Sequence, residues 1–176
     1  PRYEYSFRLG ADYKGFDFSI YCQGIGKRKI WGAGQLAIPG WNAKEGAMPE
    51  TFCKDYWTED NTDAYYPRAW DLGGSNTGFT MQRQSKYLLN MAYLRVKNIN
   101  FGYTFPQKWM KKAYINNLRV YMSLENFFTF DHLRGLPIDP EAISGYSMFS
   151  DNYNLGRTGT GTPVFKSLSF GLQLSF

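Results

Sequence analysis

Apolar and polar residues alternate strictly over the last thirteen residues of the sequence, 164–176 (VFKSLSFGLQLSF). Six of the seven even positions are apolar, and five of the six odd positions are small or polar. Because successive side chains of a strand point to opposite faces, this pattern predicts a strand with one apolar and one polar face. Soluble strands usually run about five or six residues, whereas a tilted strand that crosses a bilayer needs about 9–11. The length therefore favours a membrane-spanning strand.

Four earlier segments show the same alternation, and the first two are joined by a tight turn, which predicts a hairpin. The five predicted strands cover roughly residues 2–11, 15–24, 92–105, 118–130 and 164–176. Charged residues recur on the polar face of these strands, at Arg2, Glu4, Arg8, Asp17, Arg119 and Glu125. A face that carries so many charges predicts a water-filled lumen on that side.

The third predicted strand contains one break in the alternation. Leu94 and Val96 share one parity, whereas the apolar residues from Ile99 onward take the other. A single extra residue near Lys97 and Asn98 would keep all of them on one face. The sequence therefore predicts a β-bulge at that point.

The connections between the predicted strands are short, long, medium and long in turn. Outer-membrane barrels have short periplasmic turns and long extracellular loops. This pattern places loops 25–91 and 131–163 outside the cell and the 106–117 turn in the periplasm. Five strands cannot close around a polar lumen, and single-chain bacterial barrels have even strand numbers. We therefore expect an all-β fold, an antiparallel transmembrane β-barrel segment, with further barrel strands upstream of Pro1.

Composition agrees with a barrel and argues against other classes. Aromatic residues make up 19% of the 176 residues, as expected for a barrel with aromatic girdles at both interfaces. The sequence contains no run of 18 apolar residues, which argues against a transmembrane helix. The net charge of +5 is dispersed along the chain, whereas nucleic-acid binding would require a concentrated basic face. We expect no nucleic-acid partner.

The sequence offers little for catalysis. His132 is the only histidine, so a multi-histidine metal site or a histidine-rich catalytic arrangement is not available within the chain. The stretch GAGQLA (Gly32 to Ala37) matches a dinucleotide fingerprint formally, but Pro39 and Gly40 would break the helix that this motif must open. We therefore expect no catalytic residues, no cofactor and no enzyme activity.

Two further features of the sequence have ordinary structural explanations. The acidic stretch Glu59 to Asp63 could supply oxygen ligands to a structural calcium ion, but a solvated loop is the favoured interpretation. Cys22 and Cys53 are too few for a disulfide framework. Cys22 falls on an apolar strand face and is expected to be a small buried hydrophobe, whereas Cys53 has no assigned role.

The first long loop is rich in aromatic residues. They could stack on sugar or peptide ligands at the mouth of a barrel, or they could pack into a small core of the loop itself, which is the favoured interpretation. These residues are Trp31, Trp41, Tyr56, Trp57, Tyr65, Tyr66 and Trp70.

Several segments, in order along the chain, resemble the C-terminal barrel region of the SusC/RagA family of TonB-dependent outer-membrane transporters. The most extensive is YLRVKNINFGYTFPQKWMKKAYINNLRVYMSLENFFTF, from Tyr93 to Phe130. The opening PRYEYSFRLGADYKGFDFSIYCQGIGKR, the stretch DYWTEDNTDAYYPR (Asp55 to Arg68) and the terminal SFGLQLSF resemble the same family. Together they cover nearly the whole chain.

The resemblance implies a 22-stranded barrel with an N-terminal plug domain, of which this chain would supply the last five strands. It further implies import of glycans or peptides, powered through TonB, with a SusD-like surface lipoprotein over the extracellular mouth. The plug and the TonB box belong to a part of the family that these residues do not include. A strand that ends on Phe176 also resembles the signal read by the outer-membrane assembly machinery.

Two alternatives to transport remain at this point. One is a secreted, soluble, β-rich carbohydrate-binding module, which would bury its apolar residues in a closed core. The other is a purely structural barrel without transport. The favoured hypothesis is a multi-pass β-barrel segment in the bacterial outer membrane, in contact with outer-membrane lipid.

Overall fold

A computed structural model describes residues 2–32, 36–39, 48–68, 84–111, 114–142 and 164–176. The chain divides into two compact units. The sheet unit comprises Pro1–Gly26, Tyr93–Phe130 and Val164–Phe176, and the loop unit comprises Lys27–Ala92 and Asp131–Pro163. Trp41 and Trp70 lie outside the described residues.

The sheet unit is an open antiparallel sheet in the order β1-β2-β5-β6-β7, which agrees with the predicted barrel segment. The sheet does not close on itself, and β1 and β7 are its edges. In chain order the strands are β1 (Glu4–Tyr13), β2 (Phe16–Ile25), β3 (Lys29–Trp31), β4 (Leu88–Asn90), β5 (Tyr93–Thr104), β6 (Asn117–Asp131) and β7 (Ser167–Ser175).

The remaining elements are short. In the described part of the chain the helices are α1 (Glu50–Lys54) and α2 (Gln107–Met110), with one 3₁₀ turn at Ser85–Tyr87. Strands β3 and β4 pair with each other in a second, two-stranded sheet. The sequence predicted only an irregular loop there, because strands of three residues are too short to show a period. No helix among the described residues is long and apolar enough to cross a membrane.

The predicted bulge is present in β5. Tyr21 of β2 pairs with Asn98, but the next residue, Cys22, pairs with Val96, so Lys97 is the extra residue. Downstream of the bulge, Ile20 lies opposite Ile99, and Phe18 lies opposite Phe101. The bulge therefore keeps the apolar residues of β5 on the same face of the sheet as those of β2.

One face of the sheet is apolar and exposed from edge to edge. Phe170 is 76% exposed and Leu172 is 61% exposed, although both lie in the middle of β7. Exposed apolar residues on this face also include Phe7, Leu9, Phe16, Phe18, Phe101, Val120, Leu168 and Leu174. Soluble proteins rarely expose so large a contiguous apolar surface. This face therefore requires an apolar environment.

The hairpin between β1 and β2 turns on two residues in the left-handed region, Lys14 (φ 48°) and Gly15 (φ 90°). Positive φ at both central residues is the geometry of a type I′ turn, whose twist matches that of the flanking strands. The Gly15 carbonyl accepts a hydrogen bond from the Thr104 N–H at 2.7 Å, and a Cβ on Gly15 would lie 2.7 Å from the Thr104 oxygen. Glycine is required there because of this close approach.

The loop unit has a hydrophobic core of its own, to which Tyr66 and, partly buried, Tyr65 of the predicted aromatic set contribute. Two stretches of chain that are distant in sequence contribute to it. The buried residues are Ala37, Ile38, Phe52, Tyr66, Tyr87, Met91, Leu133, Leu136 and Ile138. Phe52 and Tyr66 pack edge to face, with ring centroids 4.8 Å apart. A long connection with such a core is a small folded unit and not an unstructured loop.

Polar contacts join the same two stretches within the loop unit. The Arg28 guanidinium donates to the carbonyl oxygen of Pro140. The Thr51 hydroxyl donates to the carbonyl oxygen of Gly135 at 2.7 Å. Arg134 lies 3.8 Å above the Tyr65 ring and 3.8 Å from the Asp55 carboxylate. These contacts connect residues 27–92 to residues 131–163 beyond what apolar packing alone provides.

Burial raises the pKa of Tyr87 from 10.0 to about 12. The side chain is 1% exposed, and its hydroxyl has no hydrogen-bond partner among the described residues. A raised pKa means that the folded state holds this proton more tightly than the unfolded state does. The stability of the loop unit should therefore be unaffected by this group below pH 10 and should decrease as the pH rises from 10 to 12.

We predict that Tyr87→Phe removes the part of this pH dependence that Tyr87 contributes. It should change the stability at pH 9 by less than about 1 kcal/mol, because the buried hydroxyl has no hydrogen-bond partner among the described residues. The measurement is the urea concentration at which residues 48–92 become cleavable by proteinase K, for wild type and variant at pH 9 and pH 11. A large loss of stability at pH 9 would show that the hydroxyl has a partner after all.

Candidate functional site

The polar face of the sheet contains a bidentate ion pair that spans three strands. Arg119 of β6 donates from Nε to Asp17 Oδ2 at 2.8 Å and from its terminal nitrogen to Asp17 Oδ1 at 2.6 Å. Asp17 belongs to β2, so the pair reaches across β5. The two side chains are 26% and 29% exposed. This pair brings together two of the six charged residues that the sequence assigned to the polar face.

The ion pair can form because the residue of β5 that lies under its two side chains is a glycine. Gly102 is the residue of β5 opposite Asp17. A Cβ on Gly102 would lie 2.5 Å from Asp17 Oδ2 and 2.6 Å from the Arg119 guanidinium, closer than real Cβ atoms approach other atoms. Glycine inside a strand weakens it and often marks a close approach, and here the close approach is that of the two charged side chains.

The layer continues to the edge of the sheet through an aromatic ring. The Arg119 guanidinium lies 4.9 Å from the ring centroid of Tyr121, a cation–π contact. Tyr121 is opposite Gly171 of β7, and a Cβ on Gly171 would lie 2.1 Å from the ring. The layer from Asp17 through Arg119 to Tyr121 therefore crosses β2, β5, β6 and β7, and it rests on the two glycines.

Amide and hydroxyl groups form a second polar layer on the same face. Asn98 Nδ2 donates to the Ser123 hydroxyl at 3.1 Å, and Asn100 Nδ2 donates both to the Ser19 hydroxyl and to Asn98 Oδ1. The layer thus joins β2, β5 and β6 through side chains that can also hydrogen-bond to water. Such a face suits contact with water or with a polar solute.

A third polar contact lies nearer the end of the sheet that leads into the long connections. Arg95 Nε donates to the Thr129 hydroxyl at 3.0 Å, and the Arg95 guanidinium lies 5.7 Å from the Tyr93 ring. Arg95 is 5% exposed. The charge is therefore held within the sheet unit and is not presented to solvent.

The other charged residues assigned to the polar face from sequence are placed as follows. Glu4 and Arg8 in β1 and Glu125 in β6 have the same parity as the polar residues of their strands. Arg8 lies 5.9 Å from the Tyr21 ring instead of joining the ion pair. Arg2 precedes β1 and is exposed. The asparagine layer and the two supporting glycines were not predicted, although glycines within strand patterns could have signalled a close approach.

The loop unit contains a cavity of about 330 Å³ that opens to solvent. Its lining combines two aromatic residues, a hydroxyl and both signs of charge, at Tyr56, Trp57, Thr58, Glu59 and Arg68. Such a lining can stack on a flat ligand and hydrogen-bond to it at the same time. The sequence indicated the two aromatic residues but not Thr58 and Arg68, because their proximity depends on a fold that has no periodic signal.

Backbone pairing determines which of the neighbouring aromatic residues face this cavity. The Trp57 N–H donates to the Tyr66 carbonyl oxygen at 2.9 Å, and the Tyr66 N–H donates to the Asp55 carbonyl oxygen at 3.1 Å. Tyr66 is buried in the core, and this burial raises the pKa of its hydroxyl. Trp57 is half-buried and lines the cavity. Of this pair, only Trp57 could stack on a ligand.

The two remaining described aromatic residues of the predicted set lie elsewhere. Tyr65 packs against the Tyr66 ring at 5.0 Å and has Arg134 above its own ring, so it belongs to the internal packing of the loop unit. Trp31 ends β3 and is 40% exposed. The acidic stretch Glu59 to Asp63 forms turns, and no group of three or more His, Cys, Asp or Glu side chains that could hold a metal ion occurs in the described part of the chain.

We predict that Gly102→Ala displaces the Asp17–Arg119 ion pair and lowers the free energy of unfolding of the intact barrel by about 1–2 kcal/mol. A charge-assisted hydrogen bond contributes on that scale, and the ion pair is partly exposed to solvent. Gly10→Ala is the matched control. Gly10 is also a strand residue on the polar face, but its Cβ would meet only ordinary contacts at 3.5 Å and beyond. Thermal unfolding in detergent measures both variants, and equal losses would contradict the role given to Gly102.

Comparisons with known proteins identify similar sequences and folds. No model of a protein family matches the chain. The chain is 26% identical over 177 aligned residues to TonB-dependent receptor P3 of Formosa agariphila, an alignment that covers 100% of this chain and 16% of that protein. The relative is therefore several times longer than this chain.

Solved structures of the RagAB peptide importer share the fold. The structure in the closed-closed state matches with a TM-score of 0.66 and 24% identity, over 98% of this chain and 17% of that one. The open-open state matches with a TM-score of 0.63 and 24% identity, over 98% and 17%. The chain is therefore similar in sequence to part of a TonB-dependent receptor, and it shares its fold with part of the RagAB importer.

Proposed function

We propose that this chain forms part of the wall and of the extracellular vestibule of a transporter that imports glycans or peptides across the outer membrane, powered through TonB. The observation that carries the proposal is the amphipathic sheet. One face is apolar and exposed from β1 to β7, and the other carries the Asp17–Arg119 layer and the asparagine layer. A barrel wall between lipid and a water-filled lumen requires this combination.

In this proposal the polar layers line the lumen. Their side chains bond to one another across strands, so the wall presents fixed dipoles and charges to a passing solute. Glu4, Arg8 and Glu125 add further charge to the same surface, with Arg2 just before it. Transport then consists of binding and translocation without covalent chemistry, which agrees with relatives that are named a receptor and an importer and not enzymes.

The loop unit supplies part of the vestibule in this proposal. Its cavity, with Trp57 and Tyr56 beside Glu59 and Arg68, suits a sugar ring or a short peptide. The resemblance to the SusC/RagA family supports a SusD-like lipoprotein as the partner above it. The name of the RagAB peptide importer supports peptides as one substrate class.

The soluble carbohydrate-binding module is the weaker alternative. It requires the apolar residues of the sheet to lie in a closed core, whereas Leu172 and Phe170 are more than half exposed. It also requires the loop aromatics as stacking platforms, but Tyr66 is buried and Tyr65 packs within the loop unit.

Substitutions on the two faces of β7 test the membrane location. Leu172→Arg should destabilise the barrel by about 2–4 kcal/mol if the residue lies near the bilayer midplane, because the arginine would replace an apolar side chain in lipid. Ser169→Arg is the matched control on the polar face, opposite Ser123, and should have a much smaller effect. The measurement is reversible urea unfolding of the whole barrel in lipid vesicles. Equal effects on the two faces would favour a soluble sheet.

The end of β7 gives a second test. Phe176 follows β7 directly and is 82% exposed, so its ring contributes little to packing within the sheet unit. We predict that deletion of Phe176 lowers the amount of folded barrel in the outer membrane, while each assembled barrel still takes up substrate at the normal rate. Heat-modifiability on gels measures assembly, and uptake is normalised to folded protein. A deletion that assembles normally but loses uptake would contradict the assembly role.

A further inference from the structure

A chain of aromatic rings runs along the apolar face at the hairpin end of the sheet. The Phe16 ring lies 4.5 Å from that of Tyr103, which lies 4.9 Å from that of Phe105. Phe105 in turn lies 6.3 Å from the ring of Trp109 in α2. Trp109 is 57% exposed although it ends this series of contacts. The cluster therefore presents an aromatic surface outward.

One lysine side chain at this end of the sheet contacts an aromatic ring, and two more lysines lie next to Trp109 in sequence, in α2 and directly after it. The Lys14 ammonium lies 5.1 Å from the centroid of the Tyr13 ring, which belongs to the same apolar face. Lys108 is adjacent to Trp109, and Lys111 follows one helical turn later on the same side. The hydrogen bond from the Thr104 N–H to the Gly15 carbonyl places the hairpin beside the end of β5, which leads into α2.

Two segments of chain at this end of the sheet carry only positive charge. Residues 13–16 and 103–117 contain four lysines and no Asp or Glu. The nearest acidic residues along the hairpin, Asp12 and Asp17, lie on the polar face, and Asp17 is already paired with Arg119. Within the described residues of these two segments, no Asp or Glu side chain therefore lies on the apolar face to pair with Lys14, Lys108 or Lys111.

We propose that Lys14, Lys108 and Lys111, at the same end of the sheet as the aromatic cluster, bind the headgroups of acidic phospholipids. The positive charge of the lysines requires an anionic partner. The partner must also be amphiphilic, because the apolar face continues from Phe16 through Phe18 and Phe101. Lysine ammonium groups at the end of an apolar surface extend toward the headgroup region, and tryptophan and tyrosine are enriched at the same depth. A phospholipid supplies both the phosphate and the acyl chains.

The inference rests on the membrane location given under the proposed function, but not on transport or on its substrate. Binding of acidic lipid would fix the depth and tilt of this end of the barrel, since each lysine near an anionic surface adds to the attraction.

The experiment uses the intact transporter that contains this chain, purified in detergent and supplied with equal amounts of phosphatidylglycerol and phosphatidylcholine. Native mass spectrometry gives the ratio of the two lipids bound per protein. The wild type should retain phosphatidylglycerol preferentially. A triple variant, Lys14→Asn, Lys108→Gln and Lys111→Gln, should lose this preference, by roughly fivefold for each lysine removed. Asparagine is used at position 14 because it tolerates the positive φ of that residue.

Two control variants distinguish lipid binding at this site from a general effect of positive charge and from misfolding. Lys166→Gln removes a lysine just before β7, at the opposite end of the sheet, and should leave the lipid ratio unchanged. A variant with arginine at positions 14, 108 and 111 keeps the charges and should keep the preference. If the glutamine-containing triple variant does not fold, the three single variants are measured in its place.

Three results would overturn the inference. They are an equal ratio of the two lipids in the wild type, an unchanged ratio in the triple variant, or displacement of phosphatidylglycerol by millimolar inorganic phosphate, which would show a site for free phosphate. A protein that retains neither lipid and stays soluble without detergent would instead overturn the proposed membrane location. The two failures are therefore distinguishable.

Discussion

In hydrocarbon, a backbone N–H or C=O group without a partner costs several kcal/mol, so a sheet that lies in lipid must pair both of its edges. β7 pairs with β6 along its whole length, from Ser167 opposite Glu125 to Ser175 opposite Asn117. Its other edge, and the outer edge of β1, have no partner strand within the described residues. An open sheet with an exposed apolar face is what a segment of a larger barrel is expected to show. The bulge at Lys97 matters to the same sheet, since a register without it would turn the apolar side chains of half of β5 toward the polar face.

Once the faces are fixed, the polar face has to satisfy its own charges. Asp17 and Arg119 do so across an intervening strand, which is feasible only because Gly102 leaves room between them. Tyr121 is accommodated over Gly171 in the same way. Each glycine would weaken a strand in isolation, but here each allows a large side chain to lie flat across the sheet. The same side chains that give the face its polarity therefore also brace neighbouring strands against one another.

The parts of this structure that were predictable from sequence are those governed by local periodicity. Alternation with period two depends only on neighbouring residues, so the five long strands, their two faces and the bulge near Lys97 could be inferred. The loop unit could not be inferred in detail, because Phe52 and Leu133 meet in its core although they are 81 positions apart (133 − 52). The adjacent elements β3 and β4, with three residues each, are likewise defined by pairing with each other. Tyr66 is buried, whereas Trp57 lines the cavity. This difference follows from the backbone pairing of the two residues and not from their residue types.

The core of the loop unit has a consequence for ligand recognition. A ligand that orders a flexible loop must offset the conformational entropy of every residue that it fixes. Trp57 is already held by its backbone hydrogen bond to Tyr66, and Tyr66 is packed against Phe52 in the core. The left-handed backbone at Arg134 and Gly135 is held in turn by the contacts of Arg134 with Tyr65 and Asp55. The walls of the cavity are therefore ordered by folding of the loop unit, so a ligand of the proposed vestibule would not have to order residues 56–59 itself.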